Sequence, residues 1–368
     1  MQRPTLTEAS ILPSKTDIQQ GYEERIKAFS APEKVFQLFA SVKHEGEALM
    51  TPSDFLRSLH PNLMHENAKG KKPSARAAKA ARRLFQMVDI DSDGLVSFHE
   101  YVFFMTLISI PENRFRTMFC MFDLDRSGEI DEQEFAAMMR VLKSKSPIGL
   151  ASRVDVVSTS NKVKQQKKKA AELNRDRYPI LFGKHGNRKL TYPKFARYLL
   201  DLQEDIATLE FDGLNPDADD TISSKDFALS LVSHVYPKQF RVYKGKIEAL
   251  AESRIGFKDY MAFNKMLKSV EEISSAIDTF SEANSGNFGR EHLIHASVAV
   301  SNVELSSEVA DVLMHVFSDK GKGTLNQEEF LTVMKLKRHY GANRKRQVDV
   351  GSFFKCMRTC TKNNLTLV

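Results

Sequence analysis

Asp89-Ile90-Asp91-Ser92-Asp93-Gly94-Leu95-Val96-Ser97-Phe98-His99-Glu100, followed by Asp123-Leu124-Asp125-Arg126-Ser127-Gly128-Glu129-Ile130-Asp131-Glu132-Gln133-Glu134, decides how this chain is read. Both twelve-residue segments carry oxygen-bearing side chains at alternate positions, glycine at position six, an apolar residue at position eight and glutamate at position twelve. That is the pattern of an EF-hand calcium loop. Calcium prefers six to eight oxygens, and a short loop supplies them when alternate residues point inward and a distal carboxylate closes the sphere with two atoms. In loop one the expected donors are Asp89, Asp91, Asp93, the carbonyl of Leu95, a water positioned by Ser97, and Glu100. In loop two they are Asp123, Asp125, Ser127, the carbonyl of Glu129, Asp131 directly or through water, and Glu134. Two calcium ions per chain are expected, at sensor-class affinity of about 10⁻⁷ to 10⁻⁵ M. The spacing of the two acidic loops suits a tandem in which they pair with each other.

Outward from these loops, the chain repeats. An EF-hand places an apolar residue at position eight and another five residues later, where the exiting helix opens. The pairs Met50/Phe55, Val96/Tyr101, Ile130/Phe135, Leu190/Phe195, Ile222/Phe227, Ile255/Tyr260, Phe288/Leu293 and Leu325/Phe330 fit that spacing. The fold class expected is all-α: EF-hand repeats, two intact and about six degenerate, in two lobes, with short two-residue β-bridges between paired loops. An N-terminal domain and a C-terminal helix complete it. The segments expected are a disordered or strap region over 1–20, an N-terminal domain with a degenerate half-hand over 21–68, and a basic segment over 69–83. An N-lobe over 84–232 holds the tandem hands, two degenerate hands and a basic insertion over 144–177. A C-lobe of degenerate hands covers 233–340, and a basic linker with the terminal helix covers 341–368.

The degenerate loops have lost their donors. The loop ending at Lys194 has no carboxylate at a ligand position, and the one around Ile255 has no acidic loop at all. The loop from Asn215 keeps Asp217, Asp219 and Asp226, but Asp220 stands where glycine belongs. The loop from Ser318 keeps Gly323 and Glu329, while Lys320 and Lys322 at positions three and five oppose a divalent cation.

The 368 residues carry a formal charge of +7 despite the acidic loops, so basic residues concentrate elsewhere, notably Lys69 to Arg83 and Lys162 to Lys169. Such runs suit an acidic protein tail or anionic lipid. Nucleic acid is not expected, because no aromatic residues interleave with the lysines to stack bases. No apolar stretch reaches the length of a membrane span. Three cysteines cannot form a disulfide framework, and Cys120 reads as a buried thiol. Met118, Met121, Met138 and Met139 read as core, or as a groove that calcium opens to a partner helix. No phosphate loop, nucleophile elbow or zinc motif occurs, so an enzyme is not expected.

Beyond these features, the chain resembles the mitochondrial calcium uptake (MICU) family from Gly21 to Cys360. The resemblance is carried by Gly21-Tyr22-Glu23-Glu24-Arg25-Ile26-Lys27-Ala28-Phe29-Ser30, Met50-Thr51-Pro52-Ser53-Asp54-Phe55, Met121-Phe122-Asp123-Leu124, Phe182-Gly183-Lys184, Ser301-Asn302-Val303-Glu304-Leu305-Ser306 and Phe354-Lys355-Cys356. It implies a calcium-sensing subunit that gates the mitochondrial calcium uniporter from the intermembrane space, peripheral on the inner membrane. On that analogy Arg25 and Lys27, with Arg153, meet the acidic pore mouth, and Cys356 can cross-link a homo- or heterodimer of family members. The basic run would meet the acidic tail of a small auxiliary subunit, or cardiolipin. Animal members keep a calcium loop in the C-terminal lobe, and their equivalent of residues 89–100 is degraded; this chain reverses both features. The alternative expectation is the EF-hand regulatory region of a calcium-regulated mitochondrial carrier, or another calcium-dependent adaptor. A carrier would need a transmembrane domain that the given sequence does not contain.

Overall fold

The computed structural model describes residues 32–44, 47–59, 73–108, 110, 112–145, 178–235, 237–283, 289–318 and 325–338. It is almost wholly helical, and its helices arrange around two hydrophobic cores. In the first core are α1 (Pro32–Phe39), α2 (Pro52–Leu59), α3 (Ala75–Val88), α4 (Phe98–Ile108), α5 (Phe115–Phe122), α6 (Glu132–Lys145) and the short α7 (Pro179–Phe182). The long α8 (Tyr192–Gly213) follows. The second core contains α9 (Ser224–Leu231), α10 (Pro237–Glu248), α11 (Phe257–Lys268), α12 (Val270–Ala283), α13 (Arg290–Ser301), α14 (Ser307–Phe317) and α15 (Gln327–Arg338). Among the described residues no helix is long and apolar enough to cross a membrane.

Local chemistry sets where these helices begin. At α2, the Asp54 backbone N–H donates to Thr51 Oγ1 at 3.2 Å and the Thr51 N–H donates to Asp54 Oδ2 at 2.9 Å, a reciprocal cap ahead of Pro52 at the first helical position. Ser74 caps α3 by accepting the Ala77 N–H at 3.1 Å. Within α3, Ala77, Ala80, Leu84, Met87 and Val88 recur at helical offsets and are buried, which fixes the face turned to the core. Edge-on aromatic contacts such as Phe55–Phe104 at 5.1 Å and Phe103–Phe135 at 5.4 Å fill it.

The position-eight residues pair two by two, but not as the spacing suggested. Val96 exchanges backbone hydrogen bonds with Met50, at 2.8 and 2.9 Å, and Ile130 on β3 (Glu129–Ile130) pairs with Leu190 on β4 (Leu190–Thr191). On β5 (Thr221–Ser223) Ile222 pairs with Ile255 of β6 (Arg254–Gly256). The two acidic loops therefore do not pair with each other; each lies beside a loop that has lost its ligands. The physical reason is that a loop exposes one short strand edge, which any antiparallel loop can cover. The α4 and α5 helices separating the acidic loops belong to different helix pairs. Phe288 lies outside the described residues, and Leu325 bridges Ser318 at the start of its own loop. An antiparallel pair of β1 (Val42–His44) with β2 (Glu47–Leu49) adds an element that the helical reading omitted.

Packing also divides the chain differently from the expected lobes. Met50 and Phe55 of the N-terminal half-hand share the first core with both acidic hands, while Ile222 and Phe227 belong to the second core with Ile255. The change of core falls inside α8, whose Leu199, Leu202 and Ile206 serve the first core and whose Ala207 and Phe211 serve the second. At roughly 33 Å for its 22 residues, α8 is a beam shared by both. Cys120 is exposed, contrary to expectation. Phe115, Met118, Phe119 and Phe122 form the buried face of α5, and Cys120 falls on the other side.

Candidate calcium centre

Both acidic loops turn sharply at position six. At position six Gly94 and Gly128 have φ of +84° and +83°, where a side chain would meet no atom but the backbone conformation itself excludes most residues. In loop one Asp89 accepts from the backbone N–H groups of Asp93 and Gly94, both at 3.0 Å, and Asp93 Oδ1 accepts from Leu95 N–H at 2.8 Å. Loop two repeats this: Asp123 accepts from Ser127 and Gly128, both at 2.9 Å, and Asp125 Oδ1 accepts from Ser127 at 2.9 Å. Ser127 Oγ donates to the Glu129 carbonyl at 2.9 Å, so the expected donors at positions five and seven lie together.

The closing glutamates are buried at the base of each loop. Glu100 Oε1 accepts from Ile90 N–H at 3.0 Å and its Oε2 from Ser97 N–H and Oγ at 2.9 and 2.8 Å. Glu134 spans the same positions, accepting from Leu124 at 2.7 Å and Asp131 at 3.0 Å. Carboxylate oxygens of Asp89, Asp91 and Asp93 gather within 4.8 Å of one another, as do those of Asp123, Asp125 and Glu134. This convergence of hard oxygen donors fits calcium. The Arg25, Lys27, Arg153 and Cys356 positions lie outside the described residues.

Burial, reinforced by the charge of Asp91, pushes the Glu100 carboxyl up to about 7, and burial also raises Asp89. A metal must displace any proton held there, so calcium binding at loop one should weaken as pH falls below about 7 and release a proton on binding near neutrality. The folded value lies above the ordinary 4.5, so the folded chain holds a proton that the unfolded chain has given up. Stability of the calcium-free chain should then fall as pH rises from 4.5 to about 7, by about 3 kcal/mol for this group. Urea midpoints across that window test it: the slope should flatten in Glu100→Gln, and an unchanged slope contradicts the assignment.

Outside these two loops the carboxylates serve other partners. Asp217 is held by Arg254 and by Thr221, and Asp220, at φ +57°, receives both guanidinium nitrogens of Arg76 at 2.8 Å. The Arg76 guanidinium also stacks over Phe257 at 3.6 Å. Lys189, in the ligand-free loop paired with loop two, sits 3.6 Å from Glu129. Residues 319–324, with Lys320 and Lys322, lie outside the described residues. Met118, Met138 and Met139 are buried here.

The entering helix of loop one, α3, is fastened along α8. Ser74 N–H donates to Asp212 at 3.3 Å, Arg83 grips Asp205 at 2.5 and 2.6 Å, and Tyr198 Oη donates to the Met87 carbonyl at 2.6 Å. Sequence reading placed Arg76 and Arg83 in a basic run suited to an acidic protein tail or anionic lipid. Their partners lie more than a hundred residues away, and only the fold brings them together.

Comparisons with known proteins agree with this architecture. Family models for an EF hand match residues 81–105, for an EF hand domain residues 114–142, and for an EF-hand domain pair residues 284–336. The chain is 33% identical over 328 residues to the mitochondrial calcium uptake protein of Arabidopsis thaliana, covering 85% of this chain and 64% of that protein. It is 28% identical over 361 residues to human mitochondrial calcium uptake protein 1, covering 93% of this chain and 74% of the human one. Among solved structures, the apo mitochondrial calcium uniporter protein MICU2 matches with a TM-score of 0.60 at 22% identity, over 91% of this chain and 97% of that one. EFHA2 in its calcium-binding state matches at 0.60 and 22%, over 82% and 96%. At these identities the solved structures establish the fold.

Proposed function

We propose, from its likeness to the mitochondrial calcium uptake proteins, that this chain is a calcium-sensing subunit that gates the mitochondrial calcium uniporter, holding uptake off at low calcium and permitting it when calcium binds. The observation that carries this reading is the pair of fully equipped loops in one half of the molecule, with the helix entering the first of them fastened to a beam shared with the other half. Two calcium ions per chain are proposed, held by Asp89, Asp91, Asp93, the Leu95 carbonyl, Ser97 through water and Glu100, and by Asp123, Asp125, Ser127, the Glu129 carbonyl, Asp131 and Glu134. Calcium gathers the carboxylates and draws the closing glutamate inward, which reorients the exiting helix against the entering one. With α3 held to α8 by Arg83, that reorientation reaches the second core instead of ending in the first.

The partners proposed are the pore subunit, its small auxiliary subunit, a second family member and anionic lipid such as cardiolipin, at the intermembrane-space face of the inner membrane. Arg25 and Lys27, with Arg153, are the proposed pore contacts and Cys356 the proposed cross-link. Arg25→Ala with Lys27→Ala should weaken low-calcium binding to a soluble pore-mouth fragment roughly tenfold or more, the loss of charge-assisted contacts. Surface plasmon resonance with and without calcium reads this directly, and an affinity unchanged by the substitutions removes the pore-contact assignment.

A further inference from the structure

A cavity of about 50 Å³ lies at the seam of the two cores, beside Ile108 and Ile110 of the first and Leu267 of the second. Its polar lining is Gln203, Glu210, Asn264, Lys268, Lys337 and Arg338. Three cations therefore converge on a space large enough for a few waters or one tetrahedral oxyanion.

The nearest carboxylate is already committed. Glu210 accepts from Tyr260 Oη at 3.1 Å and faces Lys337 Nζ at 3.9 Å, and Lys337, only 5% exposed, also reaches the Ser230 carbonyl at 3.4 Å. Among the described residues, neither Lys268 nor Arg338 has a carboxylate oxygen within 4 Å. Glu112 and Glu204 act on Lys268, and Glu271 and Glu272 on Arg338, only at longer range, with Lys265 and Arg114 opposing them. Glu272 is itself engaged by Asn113 at 2.7 Å. Burial presses both the Lys268 ammonium and the Arg338 guanidinium toward lower pKa, the condition that an incoming anion relieves.

The amides sharpen the ligand class. Gln203 Nε2 donates to the Ile110 carbonyl at 3.1 Å and Asn264 Nδ2 to the Tyr260 carbonyl at 2.9 Å, leaving each amide one further N–H. Gln203 Oε1 is buried with no hydrogen-bond partner among the described residues, so it lacks a donor. A ligand that accepts from two cations and also donates one hydrogen bond meets both needs. Hydrogenphosphate does so; sulfate and carboxylate have no hydrogen to give at neutral pH.

We propose that this inter-lobe cavity is a binding site for a phosphate-class oxyanion, held by Lys268, Lys337 and Arg338 and oriented by Gln203. The site is independent of the calcium loops. Walls from both cores mean that the bound anion ties the lobes together and stabilises the closed seam.

Calorimetry and thermal melting on the calcium-stripped full chain, dialysed free of chelator and titrated with sodium phosphate against sodium chloride, test this. Phosphate should bind saturably, raise the melting temperature, and bind more tightly than sulfate. Lys268→Gln with Arg338→Gln should weaken phosphate roughly tenfold or more, while Lys258→Gln, an exposed change on the same helix, should leave it unaltered. A parallel arm uses phosphatidate vesicles. Vesicle binding lost in the double variant, with no response to free phosphate, assigns the same phosphate chemistry to a lipid headgroup. No response in either arm, equal binding of sulfate, or equal loss in Lys258→Gln overturns the proposal.

Discussion

Replacing Glu100 and Glu134 together by lysine is expected to abolish calcium binding while leaving the helical fold intact. Each glutamate supplies the two oxygens that close a coordination sphere, and each is buried, Glu100 at 4% and Glu134 at 9% exposure. The substitution removes those oxygens and puts an ammonium beside the remaining carboxylates, where it takes the place of the ion's charge. Leaving a buried charge without its partner costs at least about 3 kcal/mol, and a loss of that size is more than roughly a hundredfold in affinity. The fold should persist because the two hydrophobic cores and the position-eight bridges involve neither glutamate side chain. Circular dichroism should be unchanged and calcium-dependent changes in it absent; retained binding in the double variant would refute the ligand sets.

The second large effect is expected at Arg83. Its guanidinium grips Asp205 with two short hydrogen bonds, and the Asp205 side chain is only 3% exposed. Arg83→Ala strands that carboxylate against α8, which for a fully buried pair costs about 3 to 5 kcal/mol. Arg83 is itself 41% exposed, so water partly replaces it and about 2 kcal/mol is the expected loss. The more telling consequence concerns coupling. With Ser74 and Tyr198 still in place, α3 remains helical but is freer to move without α8. Hydrogen exchange in α9 and α11 should then lose much of its response to calcium, while calcium affinity at loop one changes little. A second-core response as large as in the unaltered chain would exclude α8 as the conduit.

These two expectations draw on information of different kinds. The two acidic loops were legible because all their candidate donors lie within twelve consecutive residues, where composition and spacing are read together. The position-eight rule likewise found six residues that bridge one another in pairs, since it rests on an apolar residue that must be buried. What remained hidden depends on packing between distant segments. Nothing local tells Val96 to choose Met50 over Ile130, and the unbroken apolar periodicity of α8 conceals the point at which one core gives way to the next. The spent carboxylates of the fourth loop belong to the same class. Asp217 looked like a residual calcium ligand, with Asp220 in the glycine position, until Arg254 and Arg76 arrived from elsewhere in the chain. Cys120 was within reach of sequence reasoning, because its offset from Phe115, Met118 and Phe122 puts it off their common face.

The central claim, that calcium sensing resides in the two loops of the first core, is tested most directly by calorimetric titration of the full chain beside Glu100→Lys and Glu134→Lys. Two ions on the unaltered chain and one on each single variant are predicted. No binding to the unaltered chain, or two ions retained by either single variant, would contradict the account.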